Sequence, residues 1–155
     1  MSFSMTELSA LATKAARGAG APAGQAARFG AAAARHMQAE RDAEALVLAL
    51  DALPYGPIID LPRVLDAALT KASPKIETEP LLESYLDVLP CVAAYNARTR
   101  RLEIDKDTPA PVHRGRIHGY ADLISQMEAL AARTYVPDSA ASRAGGAGAG
   151  LTDND

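Results

Sequence analysis

Residues 4–37 read SMTELSALATKAARGAGAPAGQAARFGAAAARHM, and this stretch decides the fold. It begins with a capping box, because the Ser4 hydroxyl can accept from the backbone N–H of Glu7 while the Glu7 carboxylate reaches back to the N–H of Ser4. Apolar residues then recur at helical spacing along one stripe: Leu8, Leu11, Ala12 and Ala15. The pattern predicts a helix that begins at this point.

A second helix is predicted after a short turn. Gly18 and Gly20 offer a left-handed stop for the first helix, and Pro22 suits the first position of the next, which we expect to run to about Met37. This second helix has a face of small residues: Ala23, Ala26, Ala27, Gly30 and Ala34. Small side chains let two helices approach closely, so we predict an antiparallel helical hairpin.

The following segments predict further helices. Residues 40–53 are so strongly apolar that a helix there should be buried. A helix with Pro62 in its first turn should open at Asp60 or Leu61, and another should follow Thr78. The last predicted helix has one apolar stripe, formed by Tyr120, Leu123, Ile124, Met127, Leu130 and Ala131.

Strands are predicted only between the last two helices. Residues 91–95 are short and apolar, residues 96–99 favour a turn, and residues 101–105 alternate polar with apolar positions. This arrangement predicts a hairpin, to which we expect residues 112–117 to add a third strand.

The predicted fold is therefore α+β and predominantly helical. It has an N-terminal helical hairpin, a small antiparallel sheet near residues 91–117 and a C-terminal helix. We expect a single domain over residues 1–137, followed by a Gly-rich acidic C-terminal tail at residues 138–155.

Composition excludes several classes of function. A net charge of -3 argues against a nucleic-acid binder, which needs a basic face for phosphate contacts. The single cysteine, Cys91, cannot form an internal disulfide, and together with the lack of a signal peptide it favours a reducing cytoplasm. No apolar run approaches the roughly 20 residues of a membrane helix, so no membrane association is expected.

Residues 113–118, His-Arg-Gly-Arg-Ile-His, carry the most chemistry outside the tail. In an extended chain Arg114, Arg116 and His118 share one face, which suits an anionic small molecule bound through carboxylate or phosphate oxygens. The alternative is a solvated basic strand that pairs with a nearby carboxylate: Asp105, Asp107 or Asp122. No compact set of metal ligands is present, so we predict no metal site, and the catalytic residues and cofactors are left open.

The last fourteen residues of the tail, 142–155, read SRAGGAGAGLTDND. In one interpretation it is only a solubilising end. In the other, its glycines let the backbone approach a ligand or another chain closely, and Arg143 supplies a guanidinium for a carboxylate or phosphate. The candidate contact residues of the tail are Gly148, Gly150, Asp153 and Asp155.

Two segments near the chain ends together resemble a known family: residues 8–24, LSALATKAARGAGAPAG, and residues 134–155, TYVPDSAASRAGGAGAGLTDND. Together they resemble a bacterial family known as domain of unknown function 3726. The chain departs from the pattern by a shorter middle and by Ala23, where many relatives have an aromatic residue. The resemblance implies a cytoplasmic protein of small-molecule metabolism, offers no catalytic residue to carry over, and gives weight to the tail residues.

Two functional hypotheses follow. The first is a non-catalytic accessory subunit of small-molecule metabolism, which binds a partner enzyme or a second copy of itself, with the tail in a groove of that partner. The second is a small enzyme or binding protein for an anionic metabolite. Its site would be formed by Arg114, Arg116, His118 and Arg143.

Overall fold

The computed structural model describes residues 1–70 and 74–135 of the chain. The elements, in chain order, are β1 (Ser2–Ser4), α1 (Met5–Gly18), α2 (Ala23–Gln38), α3 (Ala43–Asp51), α4 (Pro57–Leu69), α5 (Leu82–Leu86), β2 (Cys91–Asn96), β3 (Arg101–Pro109), β4 (Arg116–His118) and α6 (Ala121–Ala132). The chain is thus a predominantly helical α+β protein, as predicted. The boundary expected between a domain at 1–137 and a tail at 138–155 lies outside the described residues.

The N-terminal helical hairpin is confirmed. The Glu7 backbone N–H donates to Ser4 Oγ at 3.2 Å, and the Ser4 N–H donates to Glu7 Oε2 at 2.7 Å, which completes the capping box of α1. The hairpin packs most tightly at Gly30 of α2, where a Cβ atom would collide with the Thr13 side chain of α1. A glycine is therefore needed for this close approach.

The predicted C-terminal helix is confirmed as α6, and it packs against α1. Gly18 ends α1, but the positive φ of the following turn, 107°, belongs to Gly20 alone. Gly18 instead permits close contact, since a Cβ atom there would overlap the backbone carbonyl of Leu130 in α6. Helix α1 thus lies between α2 and α6.

Helix α4 begins earlier than Asp60, the start expected from Pro62. Its first residue is Pro57, because Gly56 takes a positive φ of 81° and a proline is well suited to the first helical position. Pro62 consequently lies inside α4 rather than in its first turn, and it is buried.

The strands form two separate two-stranded sheets. The predicted hairpin is confirmed as β2 and β3, which pair antiparallel. The third strand is shorter than expected, and it pairs antiparallel with β1, with Phe3 opposite Ile117, rather than with the hairpin. Local sequence gives no sign of β1, because three residues at the chain start have no alternation to detect.

The core lies between the six helices, with one side of α3 facing it, and is filled mainly by alanine and leucine. Its largest fully buried side chains are Tyr85, Phe29, Leu8, Met37, Leu46, Ile58, Leu65, Leu81, Met127, His36 and Ser84. Within the described part of the chain, every helix is too short or too polar to cross a membrane.

Candidate functional site

Helix α3 has an apolar face that no other described element covers. The sequence predicts a buried helix here, and the structure shows that this prediction is wrong for one side of it. Leu48 is 59% exposed and Tyr55, just beyond the helix, is 77% exposed. The opposite side does face the core, through Leu46, Ala49 and Leu50. An apolar helix can be covered on one side only, and composition does not reveal which side that is.

The exposed residues form one continuous face together with the half-buried Ala45. Ala45, Leu48 and Ala52 follow helical spacing along one stripe. The backbone N–H of Tyr55 donates to the carbonyl of Ala52 at 2.9 Å, which turns the chain back beside the end of the helix. These four residues are called the α3 face below.

Acidic side chains surround the α3 face. Asp42 caps α3, because its Oδ1 accepts from the Glu44 backbone N–H at 3.0 Å. Glu44 and Asp51 lie one helical turn from Leu48 on either side, and both are exposed. Glu83 of α5, whose side chain is 76% exposed, completes this acidic rim.

A depression of about 370 Å³ lies beside Leu48. It is lined by His36, Arg41, Asp42, Glu44, Ala45, Leu48, Pro80 and Glu83. One wall is therefore apolar and belongs to the α3 face, while the other walls present carboxylates and one guanidinium.

A buried polar network forms the base of this depression. His36 Nε2 lies 2.8 Å from the backbone carbonyl of Asp42, which can only accept, so Nε2 carries the proton. His36 Nδ1 is then an acceptor, and it receives the Ser84 hydroxyl at 2.8 Å. Arg41 Nη1 donates to the same hydroxyl oxygen at 2.8 Å. Both ring nitrogens of His36 and the Ser84 hydroxyl are satisfied.

Burial keeps His36 neutral. It lowers the pKa of the imidazole, and the positive charge of Arg41 adds to this effect, against a smaller raising effect from the Asp42 hydrogen bond and charge. A neutral ring matches the hydrogen bonds of the network, because a protonated ring would have no acceptor for the Ser84 hydroxyl.

Ion pairs extend the network to the surface. Arg41 Nη2 lies 2.7 Å from Asp87 Oδ2 and 3.7 Å from Glu83 Oε2. Arg35 Nε lies 3.4 Å from the same Asp87 oxygen, an ion pair whose geometry falls short of a hydrogen bond. The Tyr120 hydroxyl donates to the Arg41 carbonyl at 3.1 Å. The network therefore joins α2, α5 and the start of α6.

The Ser84–His36 pair resembles a nucleophile and its base, but its surroundings indicate a structural role. Ser84 is fully buried, at 0% exposure, and the Nε2 proton of His36 is held by a backbone carbonyl. A nucleophilic serine has to reach a substrate. The pair instead fixes α5 against α2 and so positions the depression beside the α3 face.

Sequence reasoning missed this network. One signal was present: Phe29, Ala33 and His36 share one face of α2, which places a polar ring on a buried stripe. A buried imidazole needs partners for both nitrogens, but the sequence does not identify Ser84 as one of them.

The predicted anion-binding residues lie on β4 and just before it, near the end of α2, because Gln38 Nε2 donates to the Arg114 carbonyl at 2.9 Å. Arg116 and His118 are both exposed, and they share one face of β4 because Ile117 between them is buried. Arg114 is also exposed, but Gly115, with φ of 132°, separates it from the strand. The structure thus brings two of the three to one face.

Arg116 is already engaged. Its Nε donates to Ser2 Oγ at 2.8 Å, and its Nη2 donates to the Ser2 carbonyl at 2.7 Å. The pKa of Glu7 is lowered chiefly by the hydrogen bond from the Ser4 backbone and to a smaller extent by the charge of Arg116. This guanidinium therefore helps to hold β1 against β4.

The remaining predicted site residues, Arg143, Gly148, Gly150, Asp153 and Asp155, lie outside the described residues. In residues 1–70 and 74–135, histidine, cysteine, aspartate and glutamate side chains form no group of three or more that could hold a metal ion. Cys91 is buried.

The chain matches no family model, no curated protein and no solved structure. The resemblance of its two ends to domain of unknown function 3726 stays a prediction.

Proposed function

We propose that the protein is a non-catalytic accessory subunit that binds a protein partner through the α3 face. The observation that carries the proposal is the exposure of two large apolar side chains, Leu48 on α3 and Tyr55 just beyond it. Contiguous exposed apolar surface with a polar rim is typical of interaction sites. The network beneath it holds the surroundings of the α3 face in place.

The charge of the rim favours a different protein over a second copy of this chain. In a symmetric contact the same patch meets itself, so Asp42, Glu44, Asp51 and Glu83 would oppose one another. Like charges brought together at an interface are costly. The net charge of the chain, -3, adds to this repulsion. The partner we propose therefore presents an apolar patch with a basic rim.

The depression beside Leu48 fits a basic side chain of that partner. A lysine or arginine has an aliphatic stem and a charged head. The stem would pack on Ala45 and Leu48, and the head would reach the carboxylates of Glu44 and Glu83. Arg41 does not oppose such a cation strongly, because Asp87 and Glu83 already pair with it.

The wider setting of the proposal rests on the resemblance of the chain ends. The resemblance implies a cytoplasmic protein of small-molecule metabolism. We propose that the tail, through Gly148, Gly150, Asp153 and Asp155, makes a second contact with the same partner.

Site-specific cross-linking tests the proposal. A photoreactive phenylalanine derivative replaces Leu48 in one variant and Val112 in a control variant, since Val112 is 78% exposed and belongs neither to the α3 face nor to the lining of the depression. We expect a cross-linked heterologous protein from position 48 only, and its capture should weaken about tenfold or more with Leu48→Glu. Equal products from both positions would contradict the proposal, and a cross-linked second copy of the chain would replace it with self-association.

One observation favours a second candidate function, the binding of an anionic metabolite. The Arg114 guanidinium and the His118 imidazole are exposed, and neither forms a hydrogen bond or ion pair with a described residue. Both are available to a carboxylate or phosphate. Citrate and phosphate should then raise the melting temperature, and Arg114→Ala should abolish this shift, whereas Arg98→Ala, at the tip of the β2–β3 hairpin, should leave it unchanged.

A further inference from the structure

A separate pocket lies beside α5, and no residue of the buried network lines it. Its volume is about 260 Å³. It is lined by Ala27, Arg28, Ala31, Leu65, Tyr85, Val88 and Leu89. Five of these side chains are hydrocarbon, so the pocket is suited to the apolar part of a small molecule.

Tyr85 is the unusual residue of this lining. The residue is only 1% exposed, and its hydroxyl has no hydrogen-bond partner among the described residues. Buried hydroxyl groups are nearly always hydrogen-bonded, and a tyrosine that lacks a partner is a candidate for contact with a ligand. Burial and the negative charge of Glu79 raise the pKa of this hydroxyl, which therefore remains a neutral donor.

Arg28 supplies further donors at the pocket. Its Nη1 donates to Asp66 Oδ1 at 2.8 Å and to the Pro62 carbonyl at 3.3 Å. Its Nε and Nη2 form no hydrogen bond with any residue that the structure describes. The polar groups of the lining are thus the Arg28 guanidinium, which only donates, and the Tyr85 hydroxyl, which donates and can also accept.

A second depression continues this pocket and defines the shape of a ligand. Ala31 and Val88 line both the pocket and the second depression. The second depression has a volume of about 420 Å³ and extends from these two residues to Met5 and Ala10 of α1. An aliphatic chain that begins near Tyr85 can therefore continue across α2 over alanine and valine side chains.

We propose that this pocket binds a small aliphatic molecule that ends in a carbonyl or carboxylate oxygen, which accepts hydrogen bonds from the Tyr85 hydroxyl and Arg28. The hydrocarbon chain lies on Ala27, Ala31 and Val88. The hydroxyl is closed off from solvent, so the ligand reaches it only when side chains of the lining move. The site is independent of the α3 face. The Tyr85 hydroxyl and the Nε and Nη2 groups of Arg28 are donors without acceptors, so they favour a ligand that carries an acceptor oxygen.

Three probes of equal chain length test the proposal on the full-length protein: hexanoate, hexanamide and hexylamine. NMR titration should show hexanoate and hexanamide binding at the amides of Ala27, Ala31 and Val88, in competition with each other. Hexylamine, which presents only donors when protonated, should not bind there. Arg28→Gln should weaken hexanoate more than hexanamide, which separates a carboxylate site from a carbonyl site.

Tyr85→Phe provides the matched variant, because it keeps the ring and removes only the hydroxyl. We expect it to weaken both acceptor probes by about tenfold, the effect of one lost hydrogen bond. The proposal is overturned if no probe binds the wild-type protein, if hexylamine binds as well as hexanoate, or if Tyr85→Phe binds both probes unchanged. Leu48→Glu should leave all three titrations unaltered, so failure here and failure of the α3 proposal are distinguishable.

Discussion

Replacement of Ser84 by alanine tests the buried network that positions α5 against α2. Alanine removes the donor to His36 Nδ1 and one acceptor of Arg41. A buried acceptor left without a donor costs about 1–3 kcal/mol. Arg41 keeps its 2.7 Å contact with Asp87, so its own loss is smaller, and a single oxygen leaves little cavity. We expect the free energy of unfolding to fall by about 2 kcal/mol.

Urea denaturation followed by circular dichroism measures this change. Ser125→Ala is the matched control, because Ser125 is an exposed residue of α6 and undergoes the same chemical change. The control should remain within about 0.5 kcal/mol of wild type. The difference between the two variants then reports the network rather than the helix propensity of alanine.

Two results would refute the reasoning. Equal unfolding free energies for Ser84→Ala and Ser125→Ala would show that the Ser84 hydroxyl does not stabilise the fold. An unchanged His36 titration would do the same, since loss of a donor to Nδ1 should raise the pKa of the imidazole in Ser84→Ala. Histidine NMR signals followed against pH provide that measurement.

Three further predictions concern stability. The pKa of His36 is lowered in the folded protein, so the unfolded chain binds the proton of this imidazole more tightly. The free energy of unfolding should therefore be greatest above pH 6.5 and fall as the pH drops below it. A urea midpoint that stays constant from about pH 7 to 5 would contradict this. Gly18→Ala should destabilise the protein by several kcal/mol, because the added Cβ atom overlaps the Leu130 carbonyl. Gly24→Ala should stabilise the protein by about 0.5–1 kcal/mol, because Gly24 lies in a helix with open space around it. Thermal unfolding compares the two variants. Tyr85→Phe should raise the unfolding free energy by about 1 kcal/mol in urea, and a loss would show that the hydroxyl has a partner.

Much of the fold was predictable because its signals are local. The capping box of Ser4 and Glu7 spans one helical turn, and the small face of α2 repeats within the helix that uses it. Hydrophobic periodicity likewise located α6. Such patterns depend on neighbours in sequence, so no knowledge of the tertiary structure was needed.

Most of the features that sequence reasoning missed depend on distant partners. Arg116 meets Ser2 across a sequence separation of 114 residues, and His36 meets Ser84 across 48. The start of α4 depended on the positive φ of Gly56, which made Pro57 and not Pro62 the N-terminal proline. The exposure of Leu48 depended on which side of α3 the rest of the chain covered, and an apolar helix carries no internal sign of that side.

The position of α1 between an early and a late helix has a consequence for synthesis. Helix α2 leaves the ribosome soon after α1, so the two can pair while translation continues. Its partner on the other side, α6, emerges only after residue 120 has been added. Until then Leu11 and Gly18 of the nascent helix lack their contacts with α6, and a chaperone has that interval in which to hold the chain.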